Sequence, residues 1–400
     1  MAFCRREFVG YTVLMGLVMH GAFPPAVIAD PVVAATDPYV EAVRRLERWI
    51  ASEVDAKRLP ALSIALIDDQ RILWARGFGF AVPKRQVPAT ADTVYRVGSV
   101  SKLFTDLAVM QLVEQGRLDL DAPVSRYLLE FAPRNTFSVP ITLRQLMSHR
   151  SGLVREPPLG HYFDPAPPKL IDVVRSLAGT SLVFEPGART KYSNAGVAVV
   201  GAVVERVRGE PFARTIERSL LEPLGMSRSS FEPGPKLVEQ MASGSMWTYD
   251  GQSISTPSFL LGTGPAGNLV SSVVDLGHFV SFLLAEGHGP SGPLVKPETL
   301  KLMIEPQLGK PGESPTFGLG FSLSKLDDHR RISHGGAVYG FATELECLPD
   351  AKLGAIVITS VDCANGIARH ITETALRQVL AVHEGRSLPV LETTNPIARE

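Results

Sequence analysis

Residues 95–116 read Tyr95-Arg96-Val97-Gly98-Ser99-Val100-Ser101-Lys102-Leu103-Phe104-Thr105-Asp106-Leu107-Ala108-Val109-Met110-Gln111-Leu112-Val113-Glu114-Gln115-Gly116. From Ser99 to Gln115 the pattern is helical, and Gly116 supplies the stop. Apolar residues fall on nearly all sides of this helix, so it belongs among other elements rather than on a surface. At its start, Ser99 and Lys102 stand three apart and share one face. A serine hydroxyl needs a base to become a nucleophile. A lysine held in a buried helix can serve, because desolvation favours its neutral amine. The helix start also aims free backbone N–H groups at the place where an oxyanion would form.

Working outward, Asp37-Pro38 reads as a helix start, and Val40, Val43, Leu46, Ile50 and Val54 follow at helical spacing. Leu62 to Ile67 and Arg71 to Phe80 read as a β-hairpin around Asp68-Asp69-Gln70. Residues 117 to about 260 are rich in Pro and Gly, with short helical patches at Ile171 to Leu177 and Gly196 to Val207. Strand candidates return at Phe317 to Leu323, Arg330 to His334, Gly340 to Cys347 and Leu353 to Ser360, and Ile367 to Leu380 closes as a helix. The expected fold is α+β, an α/β sandwich. One antiparallel sheet is built from both chain ends, flanked by terminal helices, with a helical lobe inserted between. The expected division is a sheet lobe over 37–115 and 265–385, a helical lobe over 116–264, and a tail over 386–400, within one hydrolase domain spanning 30–390. A site between the lobes fits where pockets commonly lie.

The Ser-x-x-Lys spacing occurs twice. The second, Ser322 to Lys325, falls in a strand candidate, where positions three apart face opposite ways. For Ser99 the plainer reading is a helix cap beside a surface lysine. Tyr192-Ser193-Asn194 is the only Tyr-x-Asn in the chain. It follows the loop signal Glu185-Pro186-Gly187. A tyrosine beside a lysine ammonium can be held toward phenolate and act as a base, and Asn194 could bind a substrate amide. The plainer reading is a helix start capped by Ser193 or Asn194. His334-Gly335-Gly336 ends one strand candidate and leads to another. Its glycines would let a ligand approach the backbone, and Ala337 would offer a second N–H to an oxyanion. The plainer reading there is a Gly-Gly turn.

Taken together and in this order, the three motifs resemble those of the serine β-lactamase and penicillin-binding superfamily. They are most similar to its class C β-lactamase-like branch, which includes D-alanyl carboxypeptidases, D-amino peptidases and family VIII esterases. The resemblance runs from about Tyr39 to Leu380 and takes in Tyr95 to Lys102, Met147 to Leu153, Pro223 to Met226 and Gly264 to Leu269. The last three stretches are expected to be structural. The resemblance implies that Ser99 attacks, that Lys102 and Tyr192 move protons, and that the N–H groups of Ser99 and Ala337 hold the oxyanion. It also implies that Asn194 and residues 334–336 line the substrate. Which of Lys102 and Tyr192 is the base stays open.

Relatives with efficient β-lactam turnover carry Lys-Thr-Gly at the third motif, where lysine and threonine grip a carboxylate. His334 and Gly335 replace them here. A mostly neutral histidine binds carboxylate less well. This favours small esters, amides or peptides over β-lactams, with Arg330 or Arg331 as alternative sources of positive charge. The expected function is a serine hydrolase. The alternatives are a β-lactamase or D-alanyl-D-alanine carboxypeptidase, and a non-catalytic sensor or scaffold of the same fold. An α/β-hydrolase is disfavoured because no serine lies in Gly-x-Ser-x-Gly. No His-Glu-x-x-His occurs, and neither metal nor cofactor is expected.

The chain of 400 residues carries 40 Lys plus Arg against 41 Asp plus Glu. That balance gives no reason to expect nucleic acid as a partner. Arg5 and Arg6, the apolar stretch Phe8 to Met19, and the small-residue exit at Val27 and Ala29 read as an export signal over 1–29. The Arg pair also resembles a twin-arginine signal. The expected location is periplasmic or secreted. A membrane association is expected only if the signal stays uncleaved, and its apolar run is shorter than the ~20 residues that span a bilayer. Cys347 and Cys363 are expected as free or buried thiols rather than a disulfide framework.

Overall fold

The structure is a computed structural model, and it describes residues 36–166, 168–307, 309 and 317–392. The expected export signal lies outside the described residues, as does the end of the expected tail.

The first helix, α1 (Val40–Ala56), begins two residues later than Asp37-Pro38 suggested. Asp37 still organises the start, since its carboxylate accepts the Tyr39 N–H at 3.0 Å. The chain then forms β1 (Ala61–Asp68), β2 (Arg71–Val82) and the short β3 (Val87–Pro88). Near the other end come β4 (Ser322–Leu326), β5 (His329–Val338), β6 (Phe341–Leu348) and β7 (Leu353–Thr359). These seven strands make one sheet in the order β4-β5-β6-β7-β1-β2-β3. Every pairing is antiparallel, and β7 against β1 joins the two chain ends, with Ile64 opposite Val357.

The sheet is covered on both faces, which is why β1 and β7 read as continuous apolar runs rather than alternating ones. Leu62, Ile64 and Leu66 pack with Leu46 and Ile50 of α1 and with Ile371 and Leu376 of the last helix, Asn365–His383. Ala65 and Ile67 turn to the opposite core, where they join Phe104, Phe279 and Val280. Each such fully buried Val, Leu, Ile or Phe side chain contributes about 1.5–3 kcal/mol through burial. The described part of the tail also docks. The Pro389 carbonyl accepts from Arg45 at 2.9 Å and from Gln378 at 2.8 Å.

Between the two sheet segments lie the helices Leu143–Met147, Leu170–Ser176, Asn194–Arg208 and Phe212–Ile216, together with a small hairpin of Ser245–Trp247 and Ser253–Ser255. Two strand expectations need correction. Residues 317–321 are not strand, and the edge strand β4 starts only at Ser322. His334-Gly335-Gly336 does not sit at a strand end, because β5 runs through it to Val338 in unbroken register with β6. Glycine weakens a strand signal in sequence, and here cross-strand pairing outweighs it. Cys347 pairs opposite Gly354, and both cysteines are free, Cys347 buried and Cys363 exposed. Among the described residues no helix is long and apolar enough to cross a membrane.

Candidate active site

Gly98 places the serine. At φ +53° it adopts a backbone that L side chains rarely reach, and it opens a 3-10 turn, Gly98–Val100, that runs into α2 (Ser101–Glu114). Three side chains of this segment fasten it to residues 265–269. Ser101 Oγ donates to the Gly98 carbonyl at 2.6 Å and accepts the Leu269 N–H at 3.0 Å. Thr105 Oγ1 donates to the Pro265 carbonyl at 2.7 Å. Lys102 Nζ donates to the Ala266 carbonyl at 2.7 Å. Residues 264–269, expected to be only structural, therefore orient the lysine directly.

Lys102 Nζ also reaches Ser99 Oγ at 3.0 Å. The lysine is 1% exposed. Burial, the largest effect, drives its pKa down to about 7, with Arg155 pushing the same way and Glu156 and Asp106 opposing. A substantial share of Lys102 is therefore neutral amine near neutral pH. The Tyr192 ring centroid lies 4.9 Å from Lys102 Nζ. Its phenol is pushed up from its ordinary value by burial, so it stays protonated. This corrects the expectation that a neighbouring ammonium would hold it toward phenolate. Desolvation disfavours both charges, and it outweighs the attraction between them.

Tyr192 owes its position to its neighbours. Ser193 caps helix α3 (Asn194–Arg208) by accepting the Gly196 N–H at 2.8 Å, so the capping reading of this motif holds, and the cap leaves Tyr192 just ahead of the helix. The His149 ring packs on Tyr192 at 4.3 Å and its Nδ1 accepts the Ser193 N–H at 3.3 Å. Asn194 Nδ2 donates to Glu156 at 2.5 Å, while its Oδ1 is buried with no hydrogen-bond partner among the described residues.

The third motif faces the serine turn at backbone contact. A Cβ on Gly336 would lie 2.0 Å from the Val97 carbonyl oxygen and 3.3 Å from the Ser99 nitrogen. One on Gly98 would lie 2.8 Å from the Ala337 nitrogen. The backbones that carry the Ser99 and Ala337 N–H groups are thus brought side by side. Asn365 braces the strand by donating to the Gly336 carbonyl at 2.7 Å. His334 is buried, its Nδ1 lies 2.7 Å from the Gly335 carbonyl oxygen, and burial pushes its pKa down to about 4, leaving it neutral.

Ser99, Tyr192, Asn194 and residues 334–337 all line one cavity of about 710 Å³, with Lys102 behind Ser99. Arg330 and Arg331, the proposed sources of positive charge, are engaged elsewhere. Arg330 pairs with Asp350 at 3.0 Å, and Arg331 with Glu373 at 2.7 Å and Glu346 at 3.2 Å. The cations that line the cavity are Arg155 and Arg369, neither of which stood out in sequence. Arg369 is 3.7 Å from the buried Glu344, which sits across from Gly335 and whose pKa burial raises to about 7. Asp106, one helical turn beyond Lys102, is also buried, and both its oxygens lack hydrogen-bond partners among the described residues. No sequence motif marks it. Among the described residues no group of His, Cys, Asp and Glu is arranged to hold a metal ion.

A family model described as Beta-lactamase matches residues 46–377. The chain belongs to the Beta-lactamase family. Among its relatives, Protein flp of Staphylococcus aureus (strain N315) is 24% identical over 327 residues, covering 80% of this chain and 63% of that protein. The chain thus spans less than two thirds of that relative's length. The structure of an octameric penicillin-binding protein homologue from Pyrococcus abyssi is similar with a TM-score of 0.72 and 27% identity, covering 86% of this chain and 78% of that one. A D-stereospecific amidohydrolase from Streptomyces sp. is similar with a TM-score of 0.65 and 25% identity, covering 80% and 94% respectively.

Proposed function

We propose that the protein is an exported serine hydrolase that works through an acyl-enzyme on Ser99, with small esters, amides or peptides as substrates. The observation that carries this reading is the 3.0 Å contact between Lys102 Nζ and Ser99 Oγ in a buried site. A neutral Lys102 amine takes the Ser99 proton as Oγ bonds to the acyl carbon. The carbonyl electron pair moves to an oxyanion held by the Ser99 and Ala337 N–H groups. Collapse expels the alcohol or amine, which receives the proton from Lys102 by way of the Tyr192 hydroxyl. Water then attacks the acyl-enzyme through the same steps in reverse.

The substrate preference follows from the third motif. A neutral His334 and a side-chain-free Gly335 offer no positive charge at the third motif, and the two cations that line the cavity, Arg155 and Arg369, each stand 3.7 Å from a carboxyl, Glu156 and Glu344. This supports esters and small amides over β-lactams. The likeness to a D-stereospecific amidohydrolase supports keeping amides in range.

Labelling with a fluorophosphonate tests the nucleophile. Peptide mapping by mass spectrometry is expected to place the adduct on Ser99, with none in Ser99→Ala. An adduct on another serine would overturn the assignment. Labelling without turnover on any ester or amide would instead favour a sensor. Export is a proposal of the same kind. N-terminal sequencing of the exported protein is expected to begin at Asp30, and a retained Met1 would contradict cleavage.

A further inference from the structure

The geometry points to an aryl-binding subsite beside Ser99, built by Tyr162, Phe163, Tyr339 and Phe259, so that the preferred substrates carry an aromatic group. This deepens the hydrolase reading above and rests on it.

Tyr162 and Phe163 line the same cavity as Ser99. The Tyr162 ring centroid lies 4.4 Å from that of Tyr339, which follows Ala337 by two residues, in the turn just past the end of β5. Phe259 lies 5.6 Å from Tyr339. Phe163 stands edge-on to Tyr162 at 5.4 Å and lies 6.5 Å from Tyr339. The four rings therefore form one contiguous cluster, with Tyr162 and Phe163 facing the cavity and Tyr339 and Phe259 packed behind them in that cluster.

Phe163 is 74% exposed, and it differs from a singly exposed apolar residue in standing within this ring cluster at the cavity. It is not exposed by slackness of its loop. The Asp164 carboxylate accepts the Gly160 N–H at 2.9 Å and the Ala166 N–H at 3.2 Å. His161 accepts the Phe163 N–H at 3.1 Å through Nδ1. The Gly160 carbonyl is tied to the Thr263 N–H at 3.2 Å, close to the segment that orients Lys102. A ring held out by its own hydrogen-bonded loop is pre-organised to stack on a ligand. Tilted and edge-to-face partners suit another ring better than an alkyl chain.

The test pairs turnover with a binding readout that needs no chemistry. Acid release from ethyl phenylacetate, benzyl acetate and ethyl acetate is followed in a pH-stat. One of the aryl esters is expected to exceed ethyl acetate about tenfold in kcat/KM. Which one tells whether the ring sits in the acyl or the alcohol part. The ratio is expected to collapse in Tyr162→Ala/Phe163→Ala and to survive in Tyr162→Phe. In parallel, phenylacetate is expected to bind the Ser99→Ala protein by ligand-observed NMR, and to lose that binding when the two ring substitutions are added. Equal rates on all three esters, or phenylacetate binding unmoved by the double substitution, would overturn the subsite. Ring-dependent phenylacetate binding without turnover of any of these esters or of phenylacetamide would uphold the subsite and sink the hydrolase reading.

Discussion

Gly336 of β5 and Val97, two residues ahead of Ser99, touch backbone to backbone: a methyl group on Gly336 would lie 2.0 Å from the Val97 carbonyl oxygen. Real Cβ atoms do not come so close, so any side chain at 336 must push the strand and the serine turn apart. The Ser99 and Ala337 N–H groups would separate with them. Gly336→Ala is expected to lower kcat/KM by about 10²-fold or more, the usual cost of losing one oxyanion donor. Circular dichroism is expected to show a cooperative melt still. Unchanged kcat/KM would show that the two N–H groups do not act together.

The pH dependence follows from Lys102. Its folded pKa is lowered to about 7, so the neutral base accumulates as pH rises through that value, and kcat/KM is expected to rise with it. Glu156 and Asp106 raise this pKa, and Arg155 lowers it. Glu156→Gln removes a charge that favours the ammonium, and is expected to move the rising limb to lower pH. Arg155→Gln is expected to move it to higher pH. A limb that moves the same way in both variants would mean that another group titrates.

Tyr192 separates the two candidates for the base. Burial keeps its phenol protonated, so Tyr192→Phe removes a proton relay rather than the base. A fall of about 10²- to 10⁴-fold in kcat is expected. The rising limb near pH 7 is expected to stay in place, since it belongs to Lys102. Loss of that limb in Tyr192→Phe would make tyrosine the base.

Much of this architecture was legible in the sequence where local signals agreed with the fold. The run from Ser99 to Gln115, buried on all sides, could only be a central helix, and β1 and β2 announced themselves by apolar runs around a tight turn. The strand through His334-Gly335-Gly336 was read as two pieces because glycine carries no strand propensity. Its register comes from pairing with β6, which lies outside any local window. Ala266 was missed as a partner of Lys102 because a backbone carbonyl leaves no mark in residue identity. Arg369 and Glu344 were missed because their meeting depends on how the last helix packs on the sheet. Nothing in the sequence marks Phe163, and only its ring contacts and its hydrogen-bonded loop set it apart.

The most direct measurement is hydrolysis of p-nitrophenyl butyrate by the protein beginning at Asp30, wild type beside Ser99→Ala. Wild type is expected to turn over, with Ser99→Ala reduced by about 10⁴-fold or more, to near the rate without enzyme. Equal rates for the two proteins would contradict Ser99 as the nucleophile, and with it the acyl-enzyme mechanism.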